Sequence, residues 1–184
     1  MELNTNEKQE LKELYKKLNN LYKERAKLEV LKKNREESLK EEIASVCEIK
    51  NKQGETDAKR VKMPLINAIL DELYKEKPNK KEEEISLYET YKEAISRNKI
   101  NKDCITNFLS STESLNENAA FIKESFKDST LLSKEVLDAL SALLKEEYKL
   151  HLNDALSKEG YEIKEPKDNA ELEALKELIK GLVG

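Results

Sequence analysis

The sequence predicts an all-α protein with a long N-terminal coiled-coil helix, short helices, and a C-terminal helical bundle or hairpin. Three observations support this fold class. Charged residues occupy 39% of the 184 positions, and only four Gly and three Pro are present. Leu, Glu and Lys, which all favour helices, dominate the composition. Leucines recur at helical spacing, and no alternating pattern of useful length indicates a strand.

The first helix is predicted over residues 6–52, because this stretch contains no Gly or Pro. Its leucines follow a 3-4-3-7 spacing, which is typical of a coiled-coil seam. These residues, named the leucine seam below, are Leu11, Leu14, Leu18, Leu21 and Leu28. A single polar helix does not bury such a stripe alone, so the sequence predicts a homodimer or a higher homo-oligomer.

The next segments complete a predicted region over residues 1–98. Gly54 is expected to end the first helix, with Lys50 and Lys52 in its last turn. The second helix either begins near Pro64 or is kinked by it. A third helix is predicted over residues 79–97, where Pro78 is followed by a sequence typical of a capping box.

The remainder is predicted to contain a polar linker over residues 99–113 and an acidic helical domain over 114–184. Residues 101–184 carry 11 basic against 17 acidic side chains. Three helices are expected there, over residues 115–127 with Ser114 as cap, over 134–158, and from about residue 170 onward. This domain is either a helical hairpin that folds back on the first half or a docking module for another protein.

Few residues could support catalysis or metal binding. His151 is the one histidine, and we expect it to be packed or half-exposed on its helix. Cys47 and Cys104 are expected to be reduced core residues, with a disulfide as the remote alternative. No zinc ligand set and no glycine-rich phosphate loop is present. The sequence therefore predicts a protein that is not an enzyme, with no catalytic residues, no metal site and no cofactor.

No uncharged run approaches the ~20 residues of a membrane span, and no N-terminal stretch resembles a signal peptide. The predicted location is therefore cytoplasmic, without a membrane partner.

Basic residues cluster around Gly54: Lys50, Lys52, Lys59, Arg60 and Lys62. Others recur along the first helix: Lys12, Lys16, Lys23, Arg25, Lys27, Lys32, Lys33 and Arg35. They are interpreted either as a solvated coiled-coil surface with Glu partners or as a surface that binds phosphates.

The order of these features resembles a known family. A long Leu/Lys/Glu helix is followed by EIK-x-K-x-G-x-x-D-x-K-R-x-K at Glu48–Lys62, LINAILDELYKE at Leu65–Glu76 and EEEISLYETYKEAI at Glu82–Ile95. Residues 10–97 are therefore similar to the GapR family of bacterial nucleoid-associated proteins and to related double-stranded-DNA-binding proteins of tailed phages.

The resemblance implies a homo-oligomeric coiled-coil clamp that binds double-stranded DNA without sequence specificity, in a bacterial nucleoid or a phage-infected cell. Carried over by position, the DNA-binding residues would be Lys50, Lys52, Lys59 and Lys62; Arg60 is added on charge alone. The alternative function is a structural or adaptor coiled-coil protein that binds another protein through its acidic helices, residues 114–184.

Overall fold

A computed structural model describes residues 2–74, 102–162 and 170–184 of the chain. Within these residues the fold is all-α with a long N-terminal helix, which confirms the predicted fold class. The chain divides into two compact units. Unit 1 combines residues 1–31 with 112–184, and unit 2 comprises residues 32–111, so neither coincides with a predicted region.

Five α-helices are described, together with a 3-10 helix at Ala58–Arg60. The α-helices are α1 (Thr5–Val46), α2 (Met63–Tyr74), α3 (Lys102–Lys127), α4 (Lys134–Lys158) and α5 (Ala170–Val183). Both predicted ends of α4 and the predicted start of α5 are confirmed. Pro64 lies in the first turn of α2, in agreement with a helix that begins near it. The helix predicted over 79–97 lies outside the described residues. None of the described helices has the length and apolar character needed to cross a membrane.

The end of α1 differs from the prediction that placed it at Gly54. The helix ends at Val46, and Glu48 adopts a left-handed backbone conformation with φ 51°. The Ile49 amide donates to the Ala44 carbonyl at 2.8 Å. This is the Schellman arrangement that ends many helices, formed here without glycine. Lys50 and Lys52 therefore lie in a loop and not in a last helical turn.

The predicted linker is helical from Lys102 onward, because α3 runs without interruption to Lys127. Ile105 and Phe108 are 0% and 5% exposed, and their spacing places them on one face of α3. Ser114, expected to cap a new helix, lies inside α3. The linker prediction is wrong for residues 102–113, and residues 99–101 lie outside the described part.

Arg35 explains how this polar stretch can be helical and packed. Its Nη1 donates to the Asn107 carbonyl at 2.9 Å and to Ser111 Oγ at 2.6 Å. Ser111 is only 1% exposed, and its hydroxyl donates to the Asn107 carbonyl at 2.9 Å. Buried polar groups are tolerated when they are hydrogen-bonded. Arg35, which interrupts the apolar stripe in the sequence, thus connects α1 to α3 within unit 2.

Unit 1 buries most of the leucine seam inside the same chain. Leu11 and Leu18 are 0% exposed, and Leu14 and Leu21 pack against the same cluster. The C-terminal helices contribute Ile122, Val136, Leu140, Leu143, Leu144, Leu172, Ile179 and Leu182 to this cluster. The predicted oligomer seam is corrected accordingly, because these leucines already have partners within the chain. Of the two alternatives for the acidic helices, the structure shows the packing expected of helices that fold back on the first half, for residues 1–31; the docking alternative stays a prediction.

Leu28 departs from the rest of the seam because the buried face of α1 shifts along the helix. Ala26 and Val30 are 1% and 3% exposed, whereas Leu28 is only partly buried. A straight α-helix has about 3.6 residues per turn, so its buried face drifts away from a strict seven-residue repeat. The structure follows the straight-helix period and not the heptad that the leucines suggest.

Unit 2 packs the end of α1 against α2, the start of α3 and the segment between α1 and α2. Its buried residues are Leu39, Ile43, Ala44, Val61, Leu65, Ile66, Ile69, Ile105 and Phe108. Cys47 and Cys104 are free, as expected, and only partly buried against this cluster. A hydrogen bond to Glu42, together with burial, raises the pKa of Cys104 to about 11. This thiol therefore remains protonated near neutral pH, which makes it a weak nucleophile.

Candidate nucleic-acid interface

The connection between α1 and α2 is a folded loop, residues 47–62, named the basic loop below. The Asn51 amide donates to the Glu55 carbonyl at 2.9 Å. Asn51 Oδ1 accepts from the amides of Gln53 at 2.9 Å and Glu55 at 3.0 Å. At the tip, Gly54 has φ 78°, a conformation that glycine adopts without strain. Backbone pairing and an Asx-type turn therefore give this loop a defined shape.

The core of unit 2 holds the second half of the basic loop through Val61. This side chain is 1% exposed and belongs to the buried cluster. Its backbone is extended, whereas the preceding residues Ala58–Arg60 form the short 3-10 helix. The neighbouring Arg60 and Lys62 are both exposed, so a buried Val61 holds the backbone of the loop between two side chains that face solvent.

Arg60 and Asp57 form further hydrogen bonds within the basic loop. The Arg60 guanidinium donates to the Lys50 carbonyl, ten residues earlier. Asp57 Oδ1 accepts from the Lys59 amide at 3.1 Å and caps the short 3-10 helix. In addition, the Asp57 amide donates to the Ile49 carbonyl at 2.9 Å. These bonds bring Lys50 and Arg60 together at the base of the loop.

All five residues predicted to contact DNA lie on the basic loop and are exposed: Lys50, Lys52, Lys59, Arg60 and Lys62. In the described part of the chain, none of these side chains forms a salt bridge with Asp or Glu. The loop also contains Glu48, Glu55 and Asp57, so five cations face three anions and the excess is two positive charges. The loop is therefore a local basic surface on a chain with a net charge of −4.

The start of α2 adds to this positive surface. Its first helical residue, Met63, directly follows Lys62, and its first turn contains no acidic side chain. The N-terminal end of a helix carries a partial positive charge and favours anions. Lys62 at this position therefore lowers the stability of the isolated helix, but it favours the binding of an anionic partner.

The basic residues of α1 behave differently from those of the loop. In unit 1, the Arg25 guanidinium lies 6.0 Å from the centre of the Tyr148 ring. In unit 2, Lys32 Nζ lies 5.8 Å from the centre of the Phe108 ring, and Arg35 is bonded to α3. These cations stabilise contacts within each unit. The phosphate-binding surface considered along the first helix is therefore interrupted by residues with internal roles.

His151 is partly buried, with its Nε2 2.9 Å from Asn19 Oδ1. Burial, followed by the charge of Lys23, lowers the pKa of His151. This environment matches the expectation of a packed or half-exposed histidine. Among the described residues, no group of three or more His, Cys, Asp or Glu side chains is arranged to hold a metal ion.

Two features of the basic loop escaped the sequence reasoning. Asn51 shapes the turn. Its position three residues before Gly54 could have indicated a turn, since Asn side chains accept hydrogen bonds from nearby backbone amides and Gly adopts positive φ without strain. The bond from Arg60 to the Lys50 carbonyl has no sequence signal, because it depends on how the loop folds.

Comparisons of the chain with protein-family models, with curated proteins and with solved structures give no match. Function is therefore inferred from the geometry and charge of the basic loop.

Proposed function

We propose that this chain binds double-stranded DNA through the basic loop, with little sequence preference and without catalysis. The observation that carries the proposal is a set of five exposed cations on one hydrogen-bonded loop, none of which is in a salt bridge with a described Asp or Glu. Each Lys or Arg that neutralises a phosphate releases condensed counterions, so several modest contacts add up to salt-dependent affinity. Contacts to phosphates carry no sequence information.

The resemblance of residues 10–97 to the GapR family and the related phage proteins supports the same ligand. A bacterial nucleoid or a phage-infected cell, as the place of action, rests on that resemblance alone. Because the leucine seam is largely buried within unit 1, the proposal does not require a homo-oligomeric coiled-coil clamp. Each chain would contact the phosphates of one stretch of duplex through its own basic loop.

The proposal is tested by fluorescence anisotropy of a labelled random-sequence duplex, titrated with the protein at low salt. The loop variant replaces Lys52, Lys59 and Lys62 by Gln together. These three side chains are exposed, so the variant is expected to fold with unchanged stability. We expect its affinity to fall by about 30-fold or more, because three of five phosphate contacts are lost.

A matched control replaces Lys123, Lys127 and Lys145 by Gln. These lysines are exposed in unit 1, and the substitution changes the net charge by the same amount. The control is expected to bind within about threefold of the parent chain. Equal losses in both variants would mean that net charge, and not the basic loop, governs binding. Absence of binding by the parent chain at low salt would refute the proposal.

An adaptor function is the second candidate, favoured by exposed apolar side chains in unit 1. Phe121 is 62% exposed and Leu131 is 54% exposed. Large apolar side chains at the surface can serve protein contacts. A stoichiometric protein partner that is lost on combined Phe121→Ser and Leu131→Ser substitution, with no retention of DNA, would favour this function.

A further inference from the structure

Unit 1 contains a second surface with a distinct chemistry, a cavity between α1, α4 and α5. Its volume is about 260 Å³. The walls combine apolar side chains with lysines: Leu143, Ile179, Val183, Lys12, Lys176 and Lys180. An apolar interior with cations at its edge differs from the basic loop, which has no comparable apolar lining among its exposed residues.

The charged side chains that line the cavity are all lysines. Lys12 and Lys180 are exposed, and neither has a salt-bridge partner in the described part of the chain. Lys176 Nζ lies 3.9 Å from Glu147 Oε1, at the outer limit of an ion pair. Two of the three lysines are therefore free to approach an anion, and an exposed ammonium on a flexible stem can do so at little cost.

Among the described residues no carboxylate lines the cavity, and the nearby Glu147, which lies next to Lys176, is already hydrogen-bonded. Glu147 is 8% exposed, and Tyr15 Oη donates to its two carboxylate oxygens at 2.8 and 2.9 Å. Tyr15 itself lines the cavity. Burial, followed by the bond to Glu147, raises the pKa of Tyr15 to about 12, so this hydroxyl remains a donor at neutral pH. Glu147 is thus hydrogen-bonded to Tyr15, does not itself line the cavity, and forms no salt bridge with Lys12 or Lys180 in the described part of the chain.

We propose that this cavity binds a small amphipathic anion, a medium-length acyl chain that ends in a carboxylate. Apolar walls would contact the chain, and Lys12 and Lys180 would contact the carboxylate. A methylene group is about as large as a water molecule, which occupies roughly 30 Å³ in the liquid, so the cavity holds roughly eight such groups. Burial of the chain supplies most of the affinity, while the lysines select the charge of the head group.

The test uses octanoate, titrated into the full-length protein and followed by ¹H–¹⁵N correlation spectra. We expect saturable shifts at the amides of residues around Leu143, Ile179 and Val183. Combined replacement of Lys12 and Lys180 by Gln should weaken octanoate binding about tenfold. The control replaces exposed Lys16 and Lys145 by Gln, carries the same charge change, and should bind octanoate like the parent chain.

Two further ligands distinguish the contribution of the head-group charge from that of the alkyl tail. Heptyltrimethylammonium has the same seven-carbon tail with a positive head, and butyrate has the same head with a shorter tail; both should bind at least tenfold more weakly than octanoate. The proposal is overturned if octanoate gives no saturable shifts, if heptyltrimethylammonium binds equally well, or if the Lys12 and Lys180 variant binds octanoate unchanged. DNA binding by the basic loop does not enter this test.

Discussion

Replacement of Leu18 by Ala tests whether the leucine seam is buried within the chain. Leu18 is 0% exposed and belongs to the cluster that α1 forms with the C-terminal helices of unit 1. The substitution removes three carbon atoms, each worth about 0.8 kcal/mol when buried. The empty space that remains adds to this loss, and fully buried Leu→Ala substitutions cost about 2–5 kcal/mol. We therefore expect the free energy of unfolding to fall by about 3 kcal/mol.

The control is Leu31→Ala, on the same helix and in the same unit. Leu31 is 39% exposed, so its truncation should cost less than about 1 kcal/mol. Both variants are compared with the parent chain by urea unfolding and by thermal unfolding, each followed by far-ultraviolet circular dichroism. At the size of this chain, a loss of 3 kcal/mol lowers the melting temperature by roughly 6–12 °C, which is readily measured.

Protein concentration distinguishes a seam inside one chain from a seam between copies. If the leucines pack within the chain, the unfolding midpoint of the parent protein does not change over a hundredfold range of concentration. If a second copy covered them, the same range would change the apparent stability by about 2.7 kcal/mol. A midpoint that rises with concentration, together with equal effects of the two substitutions, would refute an intramolecular leucine seam.

Three further predictions concern single residues. Glu48→Gly should raise the free energy of unfolding by about 0.5–1 kcal/mol in urea unfolding, because Glu48 has φ 51° and glycine adopts that conformation without strain; a loss of stability would contradict the helix end described for α1. The pKa of His151 is lowered by burial and then by Lys23, so its contribution to stability is present above its unfolded pKa of about 6.5 and is lost as pH falls through the lower folded value. The urea midpoint should accordingly fall more between pH 7.5 and 5.5 in the parent chain than in His151→Gln, and equal decreases would rule this out. Arg60→Lys keeps the charge but loses the guanidinium bond to the Lys50 carbonyl, so amide hydrogen exchange in the basic loop should accelerate about fivefold, a change of ~1 kcal/mol, and unchanged exchange would show that this bond does not hold the loop.

The two helix ends show what the sequence could and could not predict. At the end of α4, Gly160 has φ 83°, and the Tyr161 amide donates to the Leu156 carbonyl at 3.0 Å. Glycine marks this end in the sequence, and the predicted boundary is confirmed. At the end of α1, Glu48 takes the same left-handed conformation although it is not glycine. The sequence therefore predicts the end at Gly54, the first glycine in the chain. Tertiary packing, not local preference, determines that end.

The linker prediction and the prediction of a seam between copies differ from the structure for a related reason, namely packing between segments distant in sequence. The polar composition of residues 102–113 is typical of a linker. In the structure this segment is helical, and Arg35 from another helix donates a hydrogen bond to Ser111. The leucine seam pointed to a partner helix, and the sequence alone did not distinguish a second copy from the chain's own C-terminal helices. For the candidate site, the five cations were identifiable from charge and from the resemblance. The folding of the loop around Asn51 and Arg60 was not, because it depends on contacts between residues up to ten positions apart.

The salt dependence of DNA binding is the most direct test of the function proposed for the basic loop. We expect the logarithm of the association constant for a random duplex to fall linearly with the logarithm of salt concentration, with a slope of roughly −4.5 for about five phosphate contacts. Combined replacement of Lys52, Lys59 and Lys62 by Gln should reduce the magnitude of this slope by about 2.7, and the Lys123, Lys127 and Lys145 control should leave it unchanged. A slope near zero in the parent chain, or one that the loop variant does not change, would contradict DNA binding through the basic loop.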